Sequence, residues 1–183
     1  MSESDTRLLD IFPTWLRSLG HDAEGLSAVV AATDASDDVR LLAAGALNYL
    51  FKSLDLIPDG IDDLGYLDDA FVLRTASDLA LREDPGALDA DALRTLNGLS
   101  EAAQEIKDFL GDDYARLETF VQGLRRSAAR GRSVNDIVND DDVRKAFLSD
   151  VASFVKSYEA PSFSREPRNL VKLKAFFDAK LPK

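Results

Sequence analysis

No cysteine occurs in the 183 residues. Disulfides, thiolate metal sites and cysteine nucleophiles are therefore excluded, and a reducing compartment fits. Histidine occurs once, as His21 in Gly20-His21-Asp22, where a turn or surface role is expected rather than catalysis. Long apolar runs are missing too. The longest, Leu41 to Phe51, is interrupted by Asn48 and falls far short of the roughly 20 residues that span a bilayer. Met1 to Asp10 mixes acids with one arginine, and no apolar core follows a basic start. That pattern argues against a signal peptide, and the cytoplasm is the expected compartment. Basic charge is in short supply: the net charge is −11, which argues against nucleic acid as a partner, because duplex binding rests on neutralising phosphates. Alternating period-two runs, hairpin dipeptides, phosphate-binding glycine loops and internal repeats are absent as well. Ser153-Phe154-Val155-Lys156 spells a serine–lysine motif, but its partner motifs are missing and it lies in an amphipathic helical pattern, so it is read as chance.

What remains is helix. At 45% apolar and 30% charged the chain is globular rather than disordered. Leu8, Leu9, Ile11, Phe12, Trp15, Leu16 and Leu19 recur at helical spacing. Pro13 predicts a kink or a fresh start within them, and Gly20-His21-Asp22 predicts their end. A short helix over about 22–32 and a turn at 33–36 follow. Ser36 or Asp37 caps a stronger helix that buries Val39, Leu42, Ala43, Ala46, Leu47 and Leu50. A further helix runs from between Asp62 and Tyr66 to about Arg82. Asp84-Pro85-Gly86 is the clearest break. It divides the chain into 1–86 and 87–183, with one continuous domain as the alternative. Beyond it, the spacings up to Leu110 and from Tyr114 predict an antiparallel helical hairpin about a glycine turn with an aspartate cap. Arg125 to Arg132 closes the hairpin with basic residues at its helix end. A linker over 133–140 with room for one helical turn, a helix with Val143, Phe147, Val151, Phe154 and Tyr158, and a closing helix over 169–181 complete the chain. The expectation is an all-α bundle of about eight helices.

One stretch stands apart. Leu54 to Asp69 holds six aspartates (Asp55, Asp59, Asp62, Asp63, Asp68 and Asp69) and no basic residue. Pro58 cannot continue a helix and biases Ile57 toward extended backbone. Gly60 and Gly65 are expected to supply a tight reversal. The charge runs the other way at the C-terminus. From Ala160 on there are six basic residues against two acids, a local charge of +4 that leaves −15 for the rest. The expected role is a basic closing helix docked on an acidic body through Leu170, Leu173 and Phe177.

Tyr49-Leu50, Asp55-Leu56-Ile57-Pro58-Asp59 and Gly65-Tyr66-Leu67-Asp68-Asp69 together resemble the YkvA-like family of unknown function, over about residues 39–81. The resemblance implies a helical N-terminal module, packed here on the C-terminal hairpin, with a site at the aspartates. It implies no reaction, because the family has no agreed one. Ser53 stands where that pattern usually has proline, and the spacer Gly60-Ile61-Asp62-Asp63 is unusually polar.

Two accounts of the aspartates are open. As caps, Asp55 and Asp59 bond backbone N–H groups of the proline turn, Asp62 or Asp63 caps the next helix, and Asp68 and Asp69 sit at its positive end or pair with Lys52 or Arg74. As ligands, Asp55, Asp59, Asp68 and Asp69 converge on a hard cation such as Mg²⁺ or Ca²⁺. An EF-hand is excluded, because the third and twelfth ligand positions fall on Ile57, Ile61 or Ala70. Caps are the preferred account. The functional expectation is a non-enzymatic interaction or scaffold module with an unidentified protein partner, and a homo-oligomer is left open. The alternatives are a carboxylate-based divalent-metal protein with hydrolytic chemistry, and peripheral membrane association through the basic tail.

Overall fold

The computed structural model describes residues 1–52, 55–58, 60–61 and 64–183. It is all-α apart from one two-residue hairpin. The first helix, α1, runs unbroken over Glu3–Ala31, started by a capping box in which Ser2 and Asp5 bond each other's backbone N–H. The expected break at Gly20 and a fresh start at Pro13 are not found: the helix continues through both. A proline inside a helix costs about 3 kcal/mol or more. Leu9 and Phe12 before it, and Trp15, Leu16 and Leu19 after it, are all buried, at about 1.5–3 kcal/mol each. Burial along one continuous face wins. Gly20 and Gly25 are not stops but points of close approach. A Cβ at Gly20 would touch Tyr158 at 3.5 Å, and one at Gly25 would meet Thr95 at 2.7 Å.

α2 (Asp37–Tyr49) and α3 (Leu67–Leu81) form the centre. Each is buried on nearly every side, as expected of helices rich in alanine and leucine with few charges. Ser36 caps α2 through the N–H of Val39. Arg40, itself buried, donates from Nε and Nη2 to the carbonyl of Val30, closing the end of α1. The Asp84-Pro85-Gly86 break is pinned against the α1–α2 turn. Ser36 N–H bonds Pro85 C=O, Ala87 N–H bonds Asp34 C=O, and Gly86 adopts φ +64° with its α-carbon facing Ser36 N. Gly86 is thus a constrained position rather than slack chain.

The predicted hairpin helices appear as α4 (Ala90–Ser100) and α5 (Ala103–Leu110), followed by a left-handed Gly111 and α6 (Asp113–Gly123). Asp112 makes no capping bond. A 3₁₀ turn at Leu124–Arg126 comes next, and Gly45 of α2 lets it in: a Cβ there would lie 3.0 Å from the Leu124 carbonyl. The basic end of the second hairpin helix, 125–132, is not helical throughout: it leads into a short β-hairpin, β1 (Ala128–Ala129) with β2 (Arg132–Ser133), turned by Arg130 and Gly131 at positive φ. α7 (Val134–Asn139), α8 (Asp141–Ser157) and α9 (Pro167–Lys180) complete the chain. The closing helix docks as expected. Leu170, Leu173 and Phe177 are buried, and the Phe177 ring stacks on Phe71 at 5.0 Å within a cluster that includes Phe12, Trp15 and Phe109.

Candidate functional site

α2 ends at Tyr49 with three successive i→i−3 bonds from the N–H groups of Leu50, Phe51 and Lys52. The chain then has to cross to α3 with Leu56 and Ile57 buried. Pro58 prevents helix there, so the N–H groups of Leu56 and Ile57 are buried donors outside any helix or sheet. Side chains satisfy them. Leu56 N–H donates to the Tyr49 hydroxyl at 2.7 Å, and Ile57 N–H donates to Asp68 Oδ2 at 3.0 Å. The Tyr49 hydroxyl in turn donates to the same Asp68 oxygen at 2.5 Å, the length of a charge-assisted bond. Both side chains are fully buried. One carboxylate thus ties together the end of α2, the Asp-Leu-Ile-Pro segment and the first turn of α3.

The electrostatics fix the direction of these bonds. Burial first, then the carboxylates of Asp68 and Asp69, push the Tyr49 phenol far above its ordinary value, so it keeps its proton and donates it. Asp68 and Asp69 occupy the first turn of α3, where the helix N-terminus favours negative charge. Asp69 is buried and Asp55 half-buried.

Past the proline, two turns complete the reversal. Ile61 N–H bonds Pro58 C=O, and the N–H groups of Leu64 and Gly65 bond Ile61 C=O. Gly60 is not left-handed, and a Cβ on it would meet nothing within 4 Å, so the freedom expected of it is not used. The left-handed residue is Tyr66, at φ 67°. Such a conformation is costly for a tyrosine and persists only where its surroundings impose it. Here the ring lies against Tyr158 at 5.4 Å and Phe154 at 6.2 Å, both from the C-terminal half. Phe51 packs on Phe147 and Phe154, with Arg130 of the hairpin turn over its face at 4.5 Å. α8 and the hairpin thus pack against the outer side of the turn.

Of the residues singled out from sequence, Asp68 and Asp69 lie at one end of α3, and Asp55 directly precedes the Leu56–Ile57 segment that Asp68 holds. Asp59, Asp62 and Asp63 lie outside the described residues. Among the described residues no group of three or more His, Cys, Asp or Glu side chains is placed to hold a metal ion. Arg74 is not the partner of Asp68 or Asp69; it pairs with Asp22 at 3.0 Å. Tyr49 is the participant that residue chemistry alone did not single out. Its place at the start of the motif was visible, but the bond it makes depends on how α2 meets α3.

Residues 39–74 match the sequence model of a family described as a protein of unknown function, DUF1232. The match covers α2, the whole aspartate turn and the first half of α3, and it agrees with the YkvA-like resemblance. No curated protein and no solved structure matches the chain.

Proposed function

We propose that the chain is a non-enzymatic interaction or scaffold module of the cytoplasm, and that its aspartate motif is an internal latch rather than a reactive centre. The observation that carries this reading is the Tyr49–Asp68 pair, which satisfies the buried N–H groups of Leu56 and Ile57. A general acid or base must reach a substrate and titrate near the working pH. Asp68 is wholly buried, and Tyr49 holds its proton too firmly to exchange it near neutrality. A protein partner, including a second copy of the chain, is the ligand class proposed.

The second reading is a divalent-metal protein, with Asp55, Asp59, Asp68 and Asp69 around Mg²⁺ or Ca²⁺. It is favoured by the gathering of Asp68 and Asp69, both buried, with Asp55 near one turn. Thermal melts separate the two. A ligand at one hundred times its dissociation constant stabilises by about 2.7 kcal/mol, and each kcal/mol moves the melt of a chain this size by about 2–4 °C. The latch reading expects Mg²⁺, Mn²⁺ and Ca²⁺ to act like sodium chloride of equal ionic strength. A divalent-specific rise of roughly 5–10 °C that disappears in Asp68→Asn overturns it. A membrane role is the weakest alternative. No helix of the described residues is long and apolar enough to cross a bilayer, so that role rests on the basic tail alone, and co-sedimentation with anionic vesicles tests it.

A further inference from the structure

On a different face of α3 from the latch, a cleft of about 420 Å³ opens between α1 and α4, with a second of about 280 Å³ continuing it. That size falls in the range of small-molecule sites. Arg74 and Gly98 line both. Arg74 is six residues beyond Asp68, so the helix turns it about 120° away from the aspartate and some 9 Å along the axis.

The floor of the cleft is a buried ion pair. Arg74 and Asp22 expose 5% and 11% of their side chains, with Nη2 donating to Asp22 Oδ2 at 3.0 Å and to Ser18 Oγ at 3.3 Å. Nη1 donates to the carbonyl of Ala70 at 3.1 Å. These bonds use three of the five N–H groups of the guanidinium, and Arg74 lines both clefts, which leaves two N–H groups, Nε–H and one on Nη1, for a further acceptor there. Desolvation pulls the Arg74 pKa down against the opposing pull of Asp22; the cation is under-compensated, and a second anion beside it would be favoured. His21, Arg94 and Thr95 stand around the opening, and the two carboxylates of the first cleft are each engaged: Asp22 by Ser18 and Arg74, Asp91 by Arg94 at 2.7 Å. In its continuation Glu105 pairs with Arg7, and Glu101 is exposed. The helices leave the space by design of their small residues. They touch at Gly25 and Thr95, whereas a Cβ on Gly98 would meet nothing within 4 Å.

We propose that the α1–α4 cleft binds a small molecule through an oxyanion, a carboxylate or a phosphate group, received by Arg74 with His21 and Arg94 at the rim. This site is independent of the latch.

The chain carries its own reporters. Trp15, the only tryptophan, lies 4.6 Å beneath the Arg74 guanidinium, and His21 is the only histidine. The full chain is titrated at fixed pH with inorganic phosphate and, separately, with acetate, each against sodium chloride of equal ionic strength. Trp15 emission and the His21 ring-proton resonances are followed together. A saturable change in both reporters, with a dissociation constant of about 1–10 mM or tighter and no counterpart in chloride, is expected. Phosphate alone, acetate alone or both then name the group received. Gly98→Leu puts a side chain into the open space without a clash, so it should keep the melt and weaken binding about tenfold or more. Arg94→Ala should weaken binding severalfold. If neither anion saturates the reporters by about 50 mM, or if Gly98→Leu binds like the wild type, the site does not exist.

Discussion

Replacing Tyr49 by phenylalanine removes one oxygen and leaves the ring, which is fully buried and packs edge-on to Phe120 at 5.9 Å. The hydrophobic contribution is nearly unchanged, so the substitution isolates the latch. Two bonds disappear: the 2.5 Å bond to Asp68 and the 2.7 Å bond from Leu56 N–H. A hydrogen bond to a charged group contributes about 1.5–3 kcal/mol, and a buried N–H left without a partner costs about 1–3 kcal/mol. The expected loss is therefore roughly 3–5 kcal/mol, which lowers the melting temperature by roughly 6–20 °C. Urea melts followed by circular dichroism measure it. The same substitution has a distinctive pH dependence. An unfolded tyrosine titrates near 10, and the folded Tyr49 far above that. Its folded value is raised, so the stability it contributes is complete below pH 10 and is lost as pH rises further. Above pH 10 the unfolded chain releases this proton and the folded chain does not, and stability falls by about 1.4 kcal/mol per pH unit. Tyr114, pushed up to about 12 by burial and then by Glu118 and Asp78, adds a slope of the same sign between the two values. Tyr49→Phe should remove one proton's worth of the wild-type slope. A loss under about 1 kcal/mol, or an alkaline slope equal to that of the wild type, would refute the latch.

Three further outcomes concern positions where backbone or tail is constrained. Gly86→Ala should cost about 1–3 kcal/mol, because φ is +64° and the new Cβ would lie 2.8 Å from Ser36 N, while Gly60→Ala should be close to neutral; equal urea midpoints for the two would contradict this. Arg116 donates to the carbonyls of Asp178, Leu181 and Pro182 and pairs with Asp113, so Arg116→Ala should expose the last turn of α9 to trypsin at Lys180. Phe177→Ala should destabilise the whole chain by about 3–5 kcal/mol, and an unchanged melt would mean that the tail is not part of the core.

The all-α class, the amphipathic faces and most helix centres were legible, because spacing of apolar residues reports burial directly. The misses have a common cause. Pro13 and Gly20 carry local signals for a break, but α1 continues through both, packed against partners distant in sequence: Tyr158 at Gly20 and Thr95 at Gly25. The Arg130-Gly131 turn has a weak local signal because arginine is a poor residue for positive φ; the cation over Phe51, a contact across 79 positions, supplies what local propensity lacks. Gly86 read as a linker because its neighbours are Asp84 and Pro85, and the close approach of Ser36 could not be seen from either.

The aspartate turn shows the same limit at the level of chemistry. Its position and its helix-terminal carboxylates followed from residue types. Which carboxylate does what did not. Capping arguments assign an aspartate to the N–H groups nearest in sequence, and by that logic Asp55 and Asp59 serve the proline turn. Asp68 reaches that turn too, 11 residues back along the chain, together with a tyrosine 19 residues before it. The reason is geometric. α2 and α3 are the two most buried helices, and the end of one abuts the start of the other. Any polar atom at that junction is desolvated and must be paired within the protein. A tyrosine at the end of α2 and an aspartate in the first turn of α3 meet that requirement with a single shared proton. That demand acts on the fold before any ligand is considered, and the matched segment, residues 39–74, contains both partners of the latch.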